Sequence, residues 1–160
     1  MAPDSVDRPK YMRKIGNEQK MKAYIAIKYH PDHQNRAIIE KISAALEQNG
    51  VESVCITRDL EKWGQHHFSP GELMQKSFDY IDNSDFLLID LTEKGVGIGI
   101  EAGYAWAKQI PIITIAKKGA DISITLQGIS QKLLWYDEDE ELIEFFAQVA
   151  HAGGTPKSLE

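Results

Sequence analysis

The sequence has a single cysteine, Cys55, among its 160 residues. One cysteine excludes an intramolecular disulfide and a zinc centre built on several thiolates, and it is typical of a reducing compartment, so we expect a cytoplasmic protein. Cys55 stands inside a strand pattern, where a small core residue is expected rather than a nucleophile. The Gly-x-Ser-x-Gly motif of serine hydrolases is also absent from the sequence.

Long apolar segments are lacking as well. The longest unbroken ones, Phe86–Ile89 and Ile110–Ala116, fall far short of the ~20 residues that cross a bilayer. The first twenty residues contain no apolar core of the signal-peptide type. We therefore expect no membrane as a partner.

An excess of basic residues is missing too. Lysine and arginine number 18 against 24 aspartates and glutamates, which gives a net charge of -6. Nucleic acids and anionic membranes repel such a chain, so we expect no nucleic acid as a partner. Because no histidine pair shares a helix face with a carboxylate at ligand spacing, we expect no metal. We expect no organic cofactor either. A small molecule in a local cationic pocket remains compatible with this charge.

What the sequence does contain is an alternation of strand and helix patterns between two polar ends. We predict a flexible extension over residues 1–20, a single domain over 21–152 and a flexible tail over 153–160. The predicted strands are Ala23–Tyr29, Val51–Ile56, Asp85–Leu91, Ile110–Ala116 and Lys132–Tyr136. The predicted helices are Gln34–Asn49, a segment from the capping box Ser69–Glu72, one through Gly103–Ala107 and one around Leu142–Val149, with Thr57–Phe68 as a loop.

This order of elements predicts an α/β fold, a doubly wound parallel five-stranded sheet with helices on both faces. The arrangement is a flavodoxin- or Rossmann-like three-layer sandwich. In such folds ligands bind at the carboxyl ends of the strands, near the switch in strand order. We therefore expect the chemistry in the loops after the first and third strands.

A glycine-rich segment with a glutamate behind it follows the predicted central strand. Gly95, Gly97 and Gly99 alternate with apolar residues, and glycines at such positions allow a backbone to approach a ligand closely. Glu101 is predicted in the first turn or so of the next helix, where the helix dipole stabilises an anion. A positioned carboxylate is the group that attacks an anomeric carbon. A tight turn without a ligand, followed by an ordinary N-terminal helix acid, is the simpler alternative.

The segment IDLTEKGVGIGIEAGYAWAKQIPII resembles the signature of the nucleoside 2-deoxyribosyltransferase superfamily. The resemblance extends over about Lys22–Tyr136, and it includes Tyr24, the Asn35–Ile38 segment and Ser123. In spacing it is closest to the branch of 2′-deoxynucleoside 5′-monophosphate N-glycosidases.

The resemblance implies a role for several residues. Glu101 would be the nucleophile that forms a glycosyl-enzyme, and Tyr24 would orient its carboxylate. Asp79 would assist at the base or the ribose, with Asp82 and Asp90 as alternatives for the second acid. Ser123 would contact the phosphate from a neighbouring subunit, which implies a homodimer with a shared active site.

The sequence departs from this pattern at two places. Ile27-Lys28 stands where the N-glycosidase branch has a Gly-Ser pair, and Gly95 stands where that branch has serine and the transferases have aspartate. One phosphate hydroxyl and one ribose carboxylate are therefore missing. Lys28 is expected to supply the lost phosphate donor as a point charge.

Further side chains near these segments have two interpretations each. A group of mostly basic side chains after the first strand forms either a cationic rim for a phosphate or a solvated helix entrance. These residues are Lys28, Tyr29, His30, His33 and Arg36. Trp63 with His66 and His67 either stacks on a base or belongs to a surface loop, and the loop is the simpler interpretation. Tyr104 and Trp106 belong either to a dimer face or to the core, and we expect the core.

Three functions fit these observations. The first is an enzyme that cleaves or transfers at the N-glycosidic bond of a 2′-deoxynucleoside or its 5′-monophosphate through Glu101. The second is a non-catalytic nucleotide-binding or sensing module on the same fold, which Ile27 and Gly95 favour. The third is an NAD-cleaving enzyme similar to TIR domains, which the glycine segment fits poorly.

Overall fold

The computed structural model describes residues 20–152, so the predicted extension (Lys20 apart) and the predicted tail lie outside the described residues. The strands are β1 (Met21–Ala26), β2 (Val51–Val54), β3 (Phe86–Asp90), β4 (Ile112–Lys117) and β5 (Lys132–Tyr136). The helices are α1 (Arg36–Gln48), α2 (Ile56–Asp59), α3 (Pro70–Asp82), α4 (Val96–Ala107), α5 (Ile124–Ile129) and α6 (Asp139–Ala150). No helix within residues 20–152 is long and apolar enough to cross a membrane.

The five strands form one parallel sheet in the order β2-β1-β3-β4-β5. This confirms the predicted doubly wound α/β fold. Because β2 lies on one side of β1 and β3 on the other, the strand connections diverge between β1 and β3. A crevice therefore opens at the carboxyl ends of these two strands.

Alternate side chains along the strands separate into two apolar layers. Ile25 and Leu88 pack with α1 and α6, whereas Tyr24 and Leu87 pack on the opposite face with α3, α4 and α5. Successive side chains of a strand point to opposite faces of the sheet. The position of a residue along its strand therefore decides which layer its side chain enters.

Helix α3 begins as the sequence predicts. The Ser69 hydroxyl accepts a hydrogen bond from the Glu72 N–H at 3.3 Å, and the Glu72 carboxylate accepts one from the Ser69 N–H at 3.0 Å. Pro70 occupies the first helical position, where its missing N–H costs nothing. The predicted capping box is thus confirmed, and it fixes where α3 starts to cover the sheet.

Two boundaries near the crevice differ from the prediction. Strand β1 ends at Ala26 rather than Tyr29, and the chain turns away where the Asn35 side-chain amide donates to the Lys28 carbonyl at 2.7 Å. A one-turn helix, α2, occupies residues that were predicted as strand end and loop. Its start is stabilised by Asp59, whose carboxylate accepts from the Cys55 N–H at 2.8 Å.

The predicted core position of Trp106 is wrong, because this side chain is 58% exposed. Helix α4 turns Ile98, Ala102 and Ala105 toward the sheet, and Trp106 follows Ala105 by about 100° around the helix. Tyr104 is half-buried and stacks on Phe78, with ring centroids 4.2 Å apart. Helix α4 therefore keeps an apolar outer face.

Candidate active site

The crevice at the switch in strand order is a cavity of about 620 Å³. Its floor and sides come from the ends of β1 and β2, from the start of α2, from one face of α3 and from the start of α4. The lining residues are Tyr24–Tyr29, Cys55–Thr57, Glu61, Leu73, Met74, Ser77, Gly95–Ile98 and Glu101. A volume of this size is in the range of sites that bind small molecules.

The glycine-rich segment is helical rather than a loop, which corrects the prediction. Gly95 is the N-cap residue of α4, and Gly97 and Gly99 lie within its first turns. Each helical glycine costs about 1 kcal/mol relative to alanine, and the burial of Ile98, Ala102 and Ala105 offsets this cost. Gly97 lines the cavity, whereas Gly99 is exposed and does not.

Because the helix starts at Val96, Glu101 is its sixth residue and lies in the second turn. Burial raises the pKa of Glu101 to about 7, and an interaction with the Tyr24 hydroxyl opposes this rise. The helix dipole acts mainly within the first turn, so desolvation dominates here. The expected stabilisation of the anion by the dipole is therefore not the governing effect.

One oxygen of the Glu101 carboxylate has no partner. Oε2 is buried and makes no hydrogen bond with any residue of the described range 20–152. A buried carboxylate oxygen without a donor costs free energy, and such groups in native structures call for an explanation. Since Glu101 lines the cavity, an electrophilic atom of a bound ligand is a partner that this oxygen can take.

Tyr24 is the side chain that interacts with this carboxylate. It is 2% exposed, and its hydroxyl makes polar contacts with Glu101 and with Ser77 of α3. Burial, reinforced by the neighbouring Glu101, raises the pKa of Tyr24 far above its usual value. The phenol therefore stays protonated and can donate to the carboxylate.

Ser77 is a site residue that sequence reasoning missed. It is 3% exposed, lines the cavity and donates its hydroxyl to the Leu73 carbonyl at 3.0 Å. A buried serine within an otherwise apolar helix face was the signal available in the sequence. Its position on α3 is the one that faces Tyr24.

Lys28 is the one cation among the described residues that line the cavity. Its side chain lies against Gly95, where an added Cβ would stand 3.2 Å from the Lys28 Cδ. Gly95 has extended backbone angles, φ -156° and ψ 148°, that any residue adopts. The absence of a side chain at Gly95 therefore makes room for Lys28 beside the start of α4.

Comparison with known proteins agrees with this geometry. The sequence profile described as nucleoside 2-deoxyribosyltransferase matches residues 23–144. The chain belongs to this family. It is thus an enzyme of the type that cleaves or transfers at the N-glycosidic bond of small nucleosides or nucleotides, and the resemblance noted in the sequence is confirmed.

Individual relatives are more distant. A putative 2′-deoxynucleoside 5′-phosphate N-hydrolase 1 from Thermofilum pendens is 26% identical over 136 residues, which cover 78% of this chain and 91% of the relative. The CMP N-glycosidase of Clostridium botulinum has a TM-score of 0.57 and 20% identity, covering 80% of this chain and 98% of the other. A 2-deoxyribosyltransferase from Bacillus psychrosaccharolyticus has a TM-score of 0.61 and 11% identity, with coverages of 76% and 90%. These solved structures share the fold.

Within this family member, the acids proposed to assist Glu101 lie elsewhere. Asp79 is exposed on α3, two residues beyond Ser77, and accepts from the Gln75 side chain at 2.9 Å. Asp82 accepts from the Tyr104 hydroxyl at 2.8 Å. Neither aspartate is among the described residues that line the cavity.

Asp90 lies on the other face of the sheet. Its carboxylate accepts from the Thr92 N–H at 2.8 Å and from the Tyr136 hydroxyl at 3.2 Å, and burial raises its pKa. Tyr136 belongs to the apolar layer of α1 and α6, whereas Glu101 lies with α4 on the opposite side. Both oxygens of Asp90 are therefore occupied and directed away from the cavity.

Ser123 is the N-cap residue of α5 and does not line the cavity of its own chain. Its Oγ lies 3.3 Å from the Thr125 hydroxyl. The adjacent Ile124 is 83% exposed. Ser123 is half-buried and lies outside the cavity of its own chain.

His30 and Arg36, which follow Lys28 along the chain, already have partners within the protein. His30 pairs with Glu93 at 2.5 Å and also contacts the Gln34 side chain. Arg36 pairs with Glu40 at 2.9 Å, and its guanidinium lies 4.6 Å from the centre of the Trp63 ring. The residues His33, Trp63, His66 and His67 do not line the cavity.

Proposed function

We propose that this enzyme cleaves the N-glycosidic bond of 2′-deoxynucleoside 5′-phosphates through attack of Glu101 on C1′. The observation that carries the proposal is the buried Oε2 of Glu101, which has no partner within residues 20–152 and belongs to a residue that lines the cavity. The curated relative from Thermofilum pendens, named as a putative N-hydrolase of such substrates, supports the choice of substrate and of water as acceptor.

The chemistry proceeds in two steps. The ionised carboxylate attacks C1′ while the C1′–N bond breaks. The electron pair of the C1′–N bond leaves with the base, and the base takes a proton from solvent. Water then attacks C1′ of the glycosyl ester, so that sugar phosphate and the Glu101 carboxyl group are released. Tyr24 donates to the Glu101 carboxylate and holds it in place.

We assign the phosphate of the substrate to the start of α4. The first N–H groups of a helix lack partners within the helix, and the N-cap Gly95 supplies no side-chain acceptor for them. Lys28 lies against Gly95 and brings a positive charge to the same end of the cavity. This arrangement supports Lys28 as a replacement for the phosphate hydroxyl that the related N-glycosidases carry.

The proposal includes a homodimer in which Ser123 completes the phosphate site of a second copy. Outer residues of α4 and the start of α5 are exposed apolar groups: Val96 at 83%, Ile100 at 47%, Trp106 at 58% and Ile124 at 83%. Apolar surface of this kind favours association. Ser123 directly precedes Ile124, one of these exposed apolar residues.

Chromatography of reaction products tests the reaction. The four deoxynucleoside 5′-monophosphates and their nucleosides are incubated with and without a second free base, with Glu101→Gln as control. We expect base release from monophosphates without an acceptor, and none from the variant. Exchange only with a second base would instead show a transferase, and thermal stabilisation by nucleotides without product would show a binding module.

Mixing two variants tests the shared site. Glu101→Gln and Ser123→Ala each leave one residue of the proposed composite site intact. In a mixed dimer, Glu101 of one chain meets Ser123 of the other, so we expect the KM for monophosphates to return toward the wild-type value. A KM that stays at the Ser123→Ala value after mixing and exchange of subunits would contradict the shared site.

A further inference from the structure

The cavity wall carries a second carboxylate, Glu61, that the proposed reaction does not use. Its backbone is fixed on both sides, because the Glu61 N–H donates to the Ile56 carbonyl at 3.0 Å and the Glu61 carbonyl accepts from the His66 N–H at 2.9 Å. Nearby Asp59 is paired with Arg58 at 2.7 Å. Among residues 20–152, by contrast, no hydrogen bond or ion pair of the Glu61 carboxylate is present, so it is available to a ligand.

The sheet places Glu61 on the far side of the cavity from the start of α4. Glu61 follows β2 and Gly95 follows β3, and β1 lies between these two strands. Neighbouring strands are about 4.8 Å apart, so the ends of β2 and β3 are separated by roughly 10 Å. This span is comparable with the distance between the phosphate and the base of a nucleotide.

The orientation of a bound nucleotide follows from this placement. Lys28 leans toward Gly95, which assigns the phosphate to the β3 side. Tyr24 of β1 contacts Glu101, which keeps C1′ near the middle of the cavity. The base then points to the β2 side, where Ile56 at the start of α2 lines the cavity together with Glu61.

We propose that Glu61 recognises the base of the nucleotide and selects bases with an exocyclic amino group. This inference rests on the proposed function for the orientation of the substrate. A carboxylate only accepts hydrogen bonds, so it pairs with an amino group of the base. An oxo group at the same position would face it with lone pairs and leave both groups unpaired, a mismatch that sites built for hydrogen bonding reject strongly.

Two substrate pairs that differ at this one group test the proposal. Deoxycytidine and deoxyuridine 5′-monophosphates form the first pair, and deoxyadenosine and deoxyinosine 5′-monophosphates the second. The ratio of kcat/KM, amino over oxo, is measured for the wild type, for Glu61→Gln and for Glu144→Gln. Glu144 is an exposed residue of α6, on the opposite face of the sheet, so its variant makes the same chemical change away from the cavity.

For the wild type we expect an amino-over-oxo ratio of about tenfold or more, because a hydrogen bond to a charged group distinguishes the two bases. In Glu61→Gln the carboxamide can donate to an oxo group, so the ratio is expected to fall to roughly threefold or less. Glu144→Gln should keep the wild-type ratio. An unchanged ratio in Glu61→Gln, or a wild-type preference for oxo bases, would overturn the proposal.

A binding measurement separates this inference from the reaction itself. Calorimetric Kd values for the same four nucleotides are measured in Glu101→Gln, with and without Glu61→Gln. If the amino nucleotides bind more tightly than the oxo nucleotides, and Glu61→Gln removes this difference in Kd, recognition of the base by Glu61 is supported even when no nucleotide is cleaved. Equal binding of amino and oxo nucleotides, or binding of none, rejects it, whatever the outcome of the cleavage assay.

Discussion

Two acids of this enzyme, Glu101 and Asp90, lie on opposite faces of the same sheet. Burial raises the pKa of both carboxyl groups. Asp90 has a donor for each oxygen, Thr92 for one and Tyr136 for the other, whereas Oε2 of Glu101 has none among the described residues. Asp90 closes a turn inside the protein, and Glu101 faces a cavity.

A shifted pKa therefore does not by itself mark a reactive acid. Structural hydrogen-bond networks and active sites both perturb pKa values. What separates the two carboxylates is whether folding has already satisfied their oxygens. The predictions that follow treat Asp90 as the structural counterpart of Glu101.

The largest difference is expected in turnover. Glu101→Gln removes the nucleophilic oxygen but keeps the shape of the side chain, so we expect kcat to fall by roughly a thousandfold or more. Asp90→Asn should keep kcat within a few fold of the wild-type value. Base release measured for both variants checks this, and comparable losses in the two would contradict the division of roles.

The pH dependence of stability tests the burial of Glu101 next. The pKa of Glu101 is about 7 in the folded state against 4.5 for an unperturbed glutamate, so the folded state binds the proton more tightly. The stabilising proton is fully present below pH 4.5 and is lost as the pH rises through 7, which lowers the free energy of unfolding by about 3 kcal/mol.

Glu101→Gln abolishes this loss, because the amide does not ionise. We expect the variant to match the wild type near pH 4 and to exceed it by about 3 kcal/mol at pH 8. Urea unfolding at a series of pH values measures the difference. A difference that does not grow between pH 5 and pH 8 would mean that Glu101 is not destabilised by its burial.

Removal of the Asp90 carboxylate should affect stability instead. Asp90→Ala leaves the Thr92 N–H and the Tyr136 hydroxyl without their acceptor, and we expect a loss of about 1–3 kcal/mol at pH 7. Asp79→Ala is the matched control, since Asp79 is exposed and its loss should stay within about 0.5 kcal/mol. Chemical unfolding of both variants gives the comparison, and equal losses would show that Asp90 is not held as described.

The sequence predicted the parts of this site that depend on chain order. Alternating strand and helix patterns gave the doubly wound sheet, and the signature around Glu101 gave the family, because both features are local in the chain. The placement of Glu101 and Tyr24 on one face of the sheet follows from these two predictions.

Features that depend on the phase of an element could not be predicted in the same way. Asp79 and Ser77 differ by two helical positions, and only the packing of α3 decides which of them faces Tyr24. The helical glycines after Gly95 contradict local propensity, since buried contacts of Ile98 and Ala102 override it. The position of Glu61 at the cavity could not be predicted, because its segment has no hydrophobic periodicity. Backbone hydrogen bonds to α2 determine its position instead.

The smallest expected effects come from the two tyrosines that donate to these acids. Tyr24→Phe removes a hydrogen bond that lowers the pKa of Glu101, so that pKa should rise and the acidic limb of the pH profile of kcat/KM should move to higher pH. Tyr136→Phe removes the corresponding donor from Asp90 and should cost about 1 kcal/mol of stability while leaving that limb in place. Because both changes delete one buried phenol oxygen, they differ mainly in the acid that each tyrosine contacts. If Tyr136→Phe moved the pH profile as far as Tyr24→Phe does, the reactive and the structural acid would not be separated by the sheet.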